Sequence, residues 1–171
     1  MQHSDLQPDL DRLRALESTG LLTSPPPPEF QAICAAARDR FAVPVAMVTL
    51  AGPGRIVMSA GEGADLPGTL RFHHFCDHTV RGDEVFVVPD AARDPRFAAN
   101  PLVRGRPFIR FYAGAPLHYV RQIRLGALCL LDTRPRDFAP EDRAALERMA
   151  EAVAAAIMER EFDRISAALT H

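Results

Sequence analysis

Hydrophobic residues recur at helical spacing near both ends of the chain. The first set lies on one face of a short predicted helix that ends at Gly20, and it comprises Leu6, Leu10, Leu13 and Leu16. The prolines at 25–28 then require an extended joint. A second predicted helix ends before Pro44 and carries the apolar stripe Phe30, Ile33, Cys34, Ala37 and Phe41. From Pro140 to about Ala168 the pattern predicts one long helix, with a narrow apolar seam of Leu146, Met149, Val153, Ile157 and, less regularly, Phe162 and Ile165.

Shorter apolar runs in the middle of the chain have the composition of β-strands. The runs at 45–50 and 55–60 flank a Gly-Pro-Gly turn and are predicted to form a hairpin. Three further strands are predicted at 84–88, 109–117 and 123–131. Residues 73–80 have the length of one or two helical turns, and the turn-rich loop from 91 to 107 is long enough to be functional. Antiparallel strands with helices at both ends indicate an α+β domain with one sheet.

Composition narrows the function classes without changing this fold prediction. The chain has 171 residues, a length typical of one domain. Its 20 basic residues nearly balance its 22 acidic ones, so the net charge does not favour binding to nucleic acid or to an anionic membrane. All the basic residues are arginine, which excludes a Schiff-base lysine and a phosphate-loop lysine. No apolar run approaches the ~20 residues of a membrane span, and the N-terminus lacks a secretory signal. We therefore expect a cytoplasmic protein.

The segment from His73 to His78 concentrates residue types that bind metals. On a helix, His74 and His78 share one face and Cys76 lies nearby. Zinc needs three or four such ligands, and no second Cys/His pair at ligand spacing accompanies this one. The alternatives are a metal site and a partly exposed helix start with incidental histidines, and we predict no metal.

The three cysteines do not make a disulfide framework, because their number is odd and they are widely spaced. Cys34 and Cys129 lie in apolar stretches and are interpreted as small core residues. Cys76 has the position of a residue at a pocket mouth, but no motif assigns it a base. We expect Cys76 and Cys129 to stay reduced and to bind no metal.

The strand at 109–117 has two faces of different character. Ile109, Phe111, Ala113, Ala115 and Leu117 point one way, whereas Arg110, Tyr112 and Gly114 point the other way, towards the long loop. An arginine, a tyrosine and a glycine gap on one sheet face indicate either a polar pocket floor or a solvent-exposed face. In a pocket, Arg110 would pair with an anionic or carbonyl group and Tyr112 would supply a flat wall.

An ordered series of motifs from about residue 10 to 160 resembles a bacterial GAF domain. The matching segments are Leu13-x-x-Leu16-x-x-x-Gly20-Leu21-Leu22-x-x-Pro25-Pro26, Phe30-x-x-Ile33, Phe75-Cys76-x-His78, Val87-Val88-Pro89-Asp90-Ala91, Asp94-Pro95-Arg96-Phe97, Asn100-Pro101-Leu102-Val103, Ile109 to Leu117, Leu125-Gly126-x-Leu128-Cys129-x-x-Asp132 and Pro140-Glu141. The resemblance implies a GAF/PAS-like α+β fold. This fold has a central antiparallel sheet of five to six strands, terminal helices on one face and a pocket covered by a loop and a helix on the other. We predict a helix and joint at 1–24, a GAF domain at 25–160 and a helix end or linker at 161–171.

The resemblance implies a small-molecule sensor in signal transduction, which acts by ligand-dependent conformational or dimer change rather than as an enzyme. Such domains stand at the N-terminus of sensor histidine kinases, of the two-component type, and of diguanylate cyclases, so an output domain is a possible partner. Terminal helices commonly pair across a dimer, and we predict a homodimer through helices 6–16 and 141–165. The ligand and any cofactor are not identified by the sequence. The predicted ligand-binding residues are Phe75, Cys76, His78, Asp90, Phe97, Asn100, Arg110, Tyr112 and Gly114.

Two other functions remain open at this point. One is an enzyme similar to free methionine-R-sulfoxide reductases, which needs a nucleophilic sulfur and resolving thiols clustered around the pocket. Cys76 and Cys129 are 53 residues apart (129 − 76), so the sequence does not predict such a cluster. The other is a ligand-free adaptor that dimerises through its terminal helices.

Overall fold

The structure is a computed structural model that describes residues 3–53, 55–63 and 73–170. Its helices are α1 (His3–Thr19), α2 (Pro28–Phe41), α3 (His73–Val80), α4 (Pro101–Arg104) and α5 (Pro140–Leu169). Its strands are β1 (Val45–Gly52), β2 (Arg55–Gly63), β3 (Phe86–Val88), β4 (Phe111–His118) and β5 (Arg124–Asp132). Single 3₁₀ turns lie at Ala91–Arg93 and Val120–Gln122.

The described strands form one antiparallel sheet in the order β2-β1-β5-β4-β3. The β1–β2 hairpin and the other three strands confirm the α+β fold class with five strands. The proline joint is shorter than predicted, because α2 already begins at Pro28. A proline fits the first helical turn, where the missing N–H would have no acceptor within the helix.

The terminal helices α1, α2 and α5 cover one face of the sheet and form the larger core with it. Leu16 of α1, Phe30 of α2 and Val153 of α5 are fully buried against strand residues such as Leu128. The predicted apolar seam of α5 contributes to this core, since Leu146 and Ile157 are also buried in it. Assigning Leu146, Val153 and Ile157 to a dimer interface was therefore wrong, because a stripe at helical spacing serves a sheet as well as a second helix.

The opposite face of the sheet carries a second core under α3, α4 and the turn at Ala91–Arg93. Tyr112 points into this core, whereas Phe111 and Ala113 point towards the terminal helices, as the alternation predicts. Ile109 departs from the prediction and packs on the Tyr112 side. It precedes β4, and its backbone N–H donates to the Leu102 carbonyl in α4 at 2.8 Å, so it does not follow the pleat of the strand.

No helix in the described residues is both long enough and apolar enough to cross a membrane.

Candidate functional site

The predicted site residues lie on or beside the sheet face opposite the terminal helices. Phe75 of α3 forms the centre of an aromatic cluster, with its ring 4.4 Å from that of Phe97 and 5.1 Å from that of Tyr112. All three side chains are fully buried. In the described structure Tyr112 therefore packs inside the second core and has no exposed surface.

The Tyr112 hydroxyl stands at the centre of a small polar cluster inside this apolar core. It lies 2.7 Å from Thr79 Oγ1, 3.3 Å from Cys129 Sγ and 3.7 Å from Cys76 Sγ. The Thr79 hydroxyl also donates to the Phe75 carbonyl at 3.3 Å. Burial raises the pKa of Tyr112 well above its ordinary value, so the phenol stays protonated and can donate.

Gly114 makes room for this arrangement. It is the register partner of Cys129 in β5, and Tyr112 stands two residues before it on the same strand face. A Cβ atom at Gly114 would overlap the Tyr112 hydroxyl and would lie 2.7 Å from Thr79 Oγ1. The tyrosine reaches Cys129 because position 114 has no side chain.

Two thiols meet at the same place. Cys76 Sγ and Cys129 Sγ are 3.7 Å apart, and Thr49 Oγ1 lies 3.6 Å from the first and 3.8 Å from the second. Hydrogen bonding to Cys129, assisted by Thr49 and Tyr112, lowers the pKa of Cys76 against the opposing effect of burial, whereas burial raises the pKa of Cys129. The expectation that these cysteines do not cluster is wrong, because α3 folds back over β5.

His78 and Arg96 lie at the outer edge of the aromatic cluster. The His78 ring stacks on Phe86 with centroids 5.3 Å apart and meets Phe97 edge-on at 5.4 Å. The Arg96 guanidinium lies 5.1 Å from the Phe86 centroid and 5.4 Å from the Phe97 centroid, and it also binds Asp94 with two nitrogens. Burial, and then the charge of Arg96, lowers the pKa of His78 below 6.5.

Asp90 and Asn100 cap short helical segments within the predicted long loop. The Asp90 carboxylate accepts from the Ala92 N–H at 3.1 Å, and the Asn100 side chain accepts from the Leu102 N–H at 2.9 Å. These contacts satisfy backbone donors and so shape the loop, which holds Phe97 against Phe75.

Arg110 is half-buried between this loop and β4. Its Nη1 donates to the Val103 carbonyl at 2.9 Å and to the Ile109 carbonyl at 3.3 Å. Within the described residues, Nε and Nη2 of Arg110 have no protein acceptor. Two donors of a positioned guanidinium are therefore free for a further group.

The sequence analysis did not single out Thr49 and Thr79, and it treated Cys129 only as a core residue. Thr49 is a polar residue inside an otherwise apolar strand, and that was a usable signal. Its contact with both thiols depends on the register of β1 with β5, where it faces Ala127. Thr79 follows Cys76 by three residues, which places both on one side of α3.

The metal hypothesis concerned His74, Cys76 and His78. The structure describes no side chain for His73 or His74, so that part of the cluster lies outside the described residues. Among the residues that are described, no group of three or more His, Cys, Asp or Glu side chains is arranged to hold a metal ion.

Comparison with known proteins assigns the family. The model of the GAF domain matches residues 26–157, well over half of the chain. The chain belongs to the GAF domain family. This result confirms the resemblance that its ordered motifs indicate, and the pairing of terminal helices on one sheet face agrees with it.

One relative is similar in sequence over most of the chain. The chain is 41% identical over 143 residues to the cyclic di-GMP phosphodiesterase PA2567 of Pseudomonas aeruginosa, a match that covers 83% of this chain. It spans 24% of that relative, about a quarter. The expectation that the protein is not an enzyme is corrected by this comparison, since the relative is named as an enzyme.

Solved structures of low sequence identity share the fold. The GAF domain of a phosphoenolpyruvate-protein phosphotransferase from Coxiella burnetii superposes with a TM-score of 0.66 at 18% identity, covering 91% of this chain and 96% of that one. A free methionine-R-sulfoxide reductase from Thermoplasma acidophilum gives a TM-score of 0.64 at 17% identity, covering 78% and 92%. At these identities the likeness concerns the fold alone.

Proposed function

We propose that this chain is a sensory GAF domain that regulates cyclic di-GMP hydrolysis in response to a small molecule. The observation that carries the proposal is the 41% identity with part of a cyclic di-GMP phosphodiesterase, over 83% of the chain. That relative contains far more chain than the matched part, and we assign the matched part a regulatory role within the phosphodiesterase.

Arg110 is the residue to which we assign ligand recognition. Its guanidinium is half-buried and held by the Val103 carbonyl, while Nε and Nη2 have no acceptor in the described protein. A carboxylate, phosphate or carbonyl group fits such a pair of donors. The exposed His78 ring stacks on the partly buried Phe86 on the same side of the sheet and supplies an apolar surface for the rest of the ligand.

Strand β4 connects this recognition site to α5. Arg110 directly precedes β4, Tyr112 points to the ligand side, and Phe111 points to the core that holds Val153 and Ile157 of α5. A ligand that binds one arrangement of β4 more tightly shifts the population of α5 positions by its differential affinity. The signal therefore leaves the domain through α5.

The C-terminal part of α5 has the features of an output element. Met158, Phe162, Ile165 and Leu169 are exposed, and they are spaced four, three and four residues apart. This is the heptad spacing of a coiled coil, and Arg160 and Arg164 on the other side of the helix donate to the Pro25 and Thr19 carbonyls of the same chain. We propose that this outer stripe pairs two copies of the domain. It contains Phe162 and Ile165 of the predicted seam but none of the seam residues that are buried on the sheet.

Ligand recognition is tested by Arg110→Gln, with Arg104→Gln as the matched control at an exposed neighbouring arginine. Native mass spectrometry of the purified wild-type chain should show a retained small molecule, which Arg110→Gln loses and Arg104→Gln keeps. In an assay with cyclic di-GMP as substrate, Arg110→Gln should also change the rate of hydrolysis. No retained mass together with unchanged hydrolysis would contradict the proposal.

Dimer formation is tested by Ile165→Glu, with Ala167→Glu as control. Position 167 is exposed and lies on the helix face opposite the outer stripe. Sedimentation equilibrium should give a dimer for wild type and for Ala167→Glu, and a folded monomer for Ile165→Glu. A dimer that survives Ile165→Glu would rule out pairing through this stripe.

A further inference from the structure

The structure brings together two cysteines that no assigned role uses. Cys76 lies on α3 and Cys129 lies in β5, and their sulfur atoms are 3.7 Å apart in a fully buried site. A disulfide bond is about 2.05 Å long, so the sulfurs have to approach by roughly 1.7 Å. Side-chain rotation and a small shift of the short helix α3 supply a movement of this size.

We propose that Cys76 and Cys129 form a redox-active pair, which a hydroperoxide converts to an intramolecular disulfide that ties α3 to β5. The thiol pair lies in the second core, and this inference does not rest on the small-molecule response proposed above. Cys34 does not take part, because it lies in the other core, on the far side of the sheet.

The reaction balances with one hydroperoxide per pair. The Cys76 sulfur, as thiolate, attacks the terminal peroxide oxygen. The O–O bond breaks, Cys76 becomes a sulfenic acid, and the alkoxide takes up the proton that the thiol released and leaves as an alcohol. The Cys129 sulfur then attacks the Cys76 sulfur, the S–S bond forms and the S–O bond breaks. The departing hydroxide takes the Cys129 proton and leaves as water, so two thiols are oxidised and one peroxide is reduced.

We assign the first step to Cys76, whose sulfur has three possible hydrogen-bond donors around it. The Thr49 and Tyr112 hydroxyls lie 3.6 and 3.7 Å from its sulfur and are able to donate to a thiolate, and the Cys129 thiol is the third donor. These hydrogen bonds lower the pKa of Cys76, whereas burial raises the pKa of Cys34 to about 12. Reactivity towards peroxide follows thiolate character and access. Cys34 and Cys76 are both fully buried, so Cys34 serves as an internal reference thiol for the difference in thiolate character.

The link has a direct structural consequence. Cys76 immediately follows Phe75, whose ring stacks on Phe97 and Tyr112. Drawing Cys76 towards β5 moves Phe75 with it and fixes α3 on the sheet. Oxidation therefore changes the packing of the whole second core.

The test counts the thiols that remain free after the folded protein has been oxidised. Wild type is treated with hydrogen peroxide without denaturant, quenched, unfolded and alkylated with N-ethylmaleimide, and its intact mass is measured. Reduced protein should take up three maleimides, and oxidised protein should take up one, with full recovery after dithiothreitol. A peptide map should contain a Cys76–Cys129 cross-link, and hydrogen exchange in α3 should slow in the oxidised form.

Three variants make the result specific. Cys34→Ala should still lose two thiols on oxidation, whereas Cys129→Ala should form no intramolecular disulfide; Cys129→Val replaces it if the alanine variant does not fold. Three maleimides on peroxide-treated wild type would overturn the proposal. So would a cross-link that includes Cys34, or a cross-link that forms only when denaturant is present during oxidation.

Discussion

The substitution Gly114→Ala tests whether the polar cluster around Tyr112 is as tightly packed as the structure indicates. An added Cβ would overlap the Tyr112 hydroxyl, lie 2.7 Å from Thr79 Oγ1 and lie 2.8 Å from Tyr112 Cζ. Both neighbours are fully buried, so neither side chain is able to swing into solvent. We expect the variant to fold with a distorted second core.

The magnitude follows from two contributions. Inserting a methyl group into a well-packed core costs about 2 kcal/mol, and displacing Tyr112 from Thr79 removes a buried hydrogen bond worth about 1 kcal/mol. Gly114→Ala should therefore lower the free energy of unfolding by about 3 kcal/mol. Tyr112→Phe alone should cost about 1 kcal/mol, because the Thr79 hydroxyl keeps the Phe75 carbonyl as an acceptor at 3.3 Å.

The double variant is the sharpest part of the test. Removing the Tyr112 hydroxyl removes one of the atoms that the new methyl group would overlap, although the ring Cζ still crowds it. We expect the pair of substitutions together to cost about 2.5 kcal/mol, well below the additive value of about 4 kcal/mol.

Urea unfolding followed by far-UV circular dichroism measures these changes, with Gly82→Ala as control. A Cβ at Gly82 would meet no atom within 4 Å, so that variant should stay within about 0.5 kcal/mol of wild type. The reasoning is refuted if Gly114→Ala costs no more than Gly82→Ala, or if the costs of Gly114→Ala and Tyr112→Phe simply add.

Three further predictions address contacts elsewhere in the domain. Asp132→Ala should lower the free energy of unfolding in urea by about 2 kcal/mol, because this buried carboxylate binds Arg136. The Arg136 guanidinium also donates to the carbonyls at the end of α2. A loss below about 0.5 kcal/mol would contradict this. Burial lowers the pKa of His78 below 6.5, so on acidification the unfolded state binds a proton at this imidazole before the folded state does. The free energy of unfolding should therefore fall as the pH drops from about 6.5 towards the pKa of the folded state. An NMR titration that gives His78 a pKa of 6.5 or higher would refute this. Arg164→Ala removes the 2.6 Å hydrogen bond to the Thr19 carbonyl, so backbone amide exchange at the end of α1 should quicken, and unchanged exchange would count against it.

The elements of the fold and their order could be predicted from the sequence. Helix and strand periods survive in the pattern of apolar positions. Helix ends are marked by Gly20, which adopts a positive φ that other residues disfavour, and by Pro140, whose fixed φ suits a first helical turn. The alternation in β4 likewise assigned Tyr112 and Phe111 to opposite faces, because a strand has a period of two. Helix period, strand alternation and helix ends depend on neighbouring residues, so the sequence of each segment is sufficient to predict them.

The direction in which an apolar stripe faces is not a local property. The stripe containing Val153 and Ile157 has the same spacing whether it covers a sheet or a second helix, and the packed molecule buries it on its own sheet. Phe162 and Ile165 extend the predicted seam less regularly, and only the tertiary structure shows that they stay exposed.

The composition of the candidate site was decided by tertiary structure alone. Cys76 and Cys129 are far apart along the chain, and they meet only because α3 crosses over β5. Tyr112 reaches Cys129 because Gly114 leaves space for its hydroxyl. Sequence periodicity describes which side of an element a residue occupies, but it carries no information on which two elements will face each other. That choice comes from filling one shared interior at close-packed density, and it depends on all the elements at once.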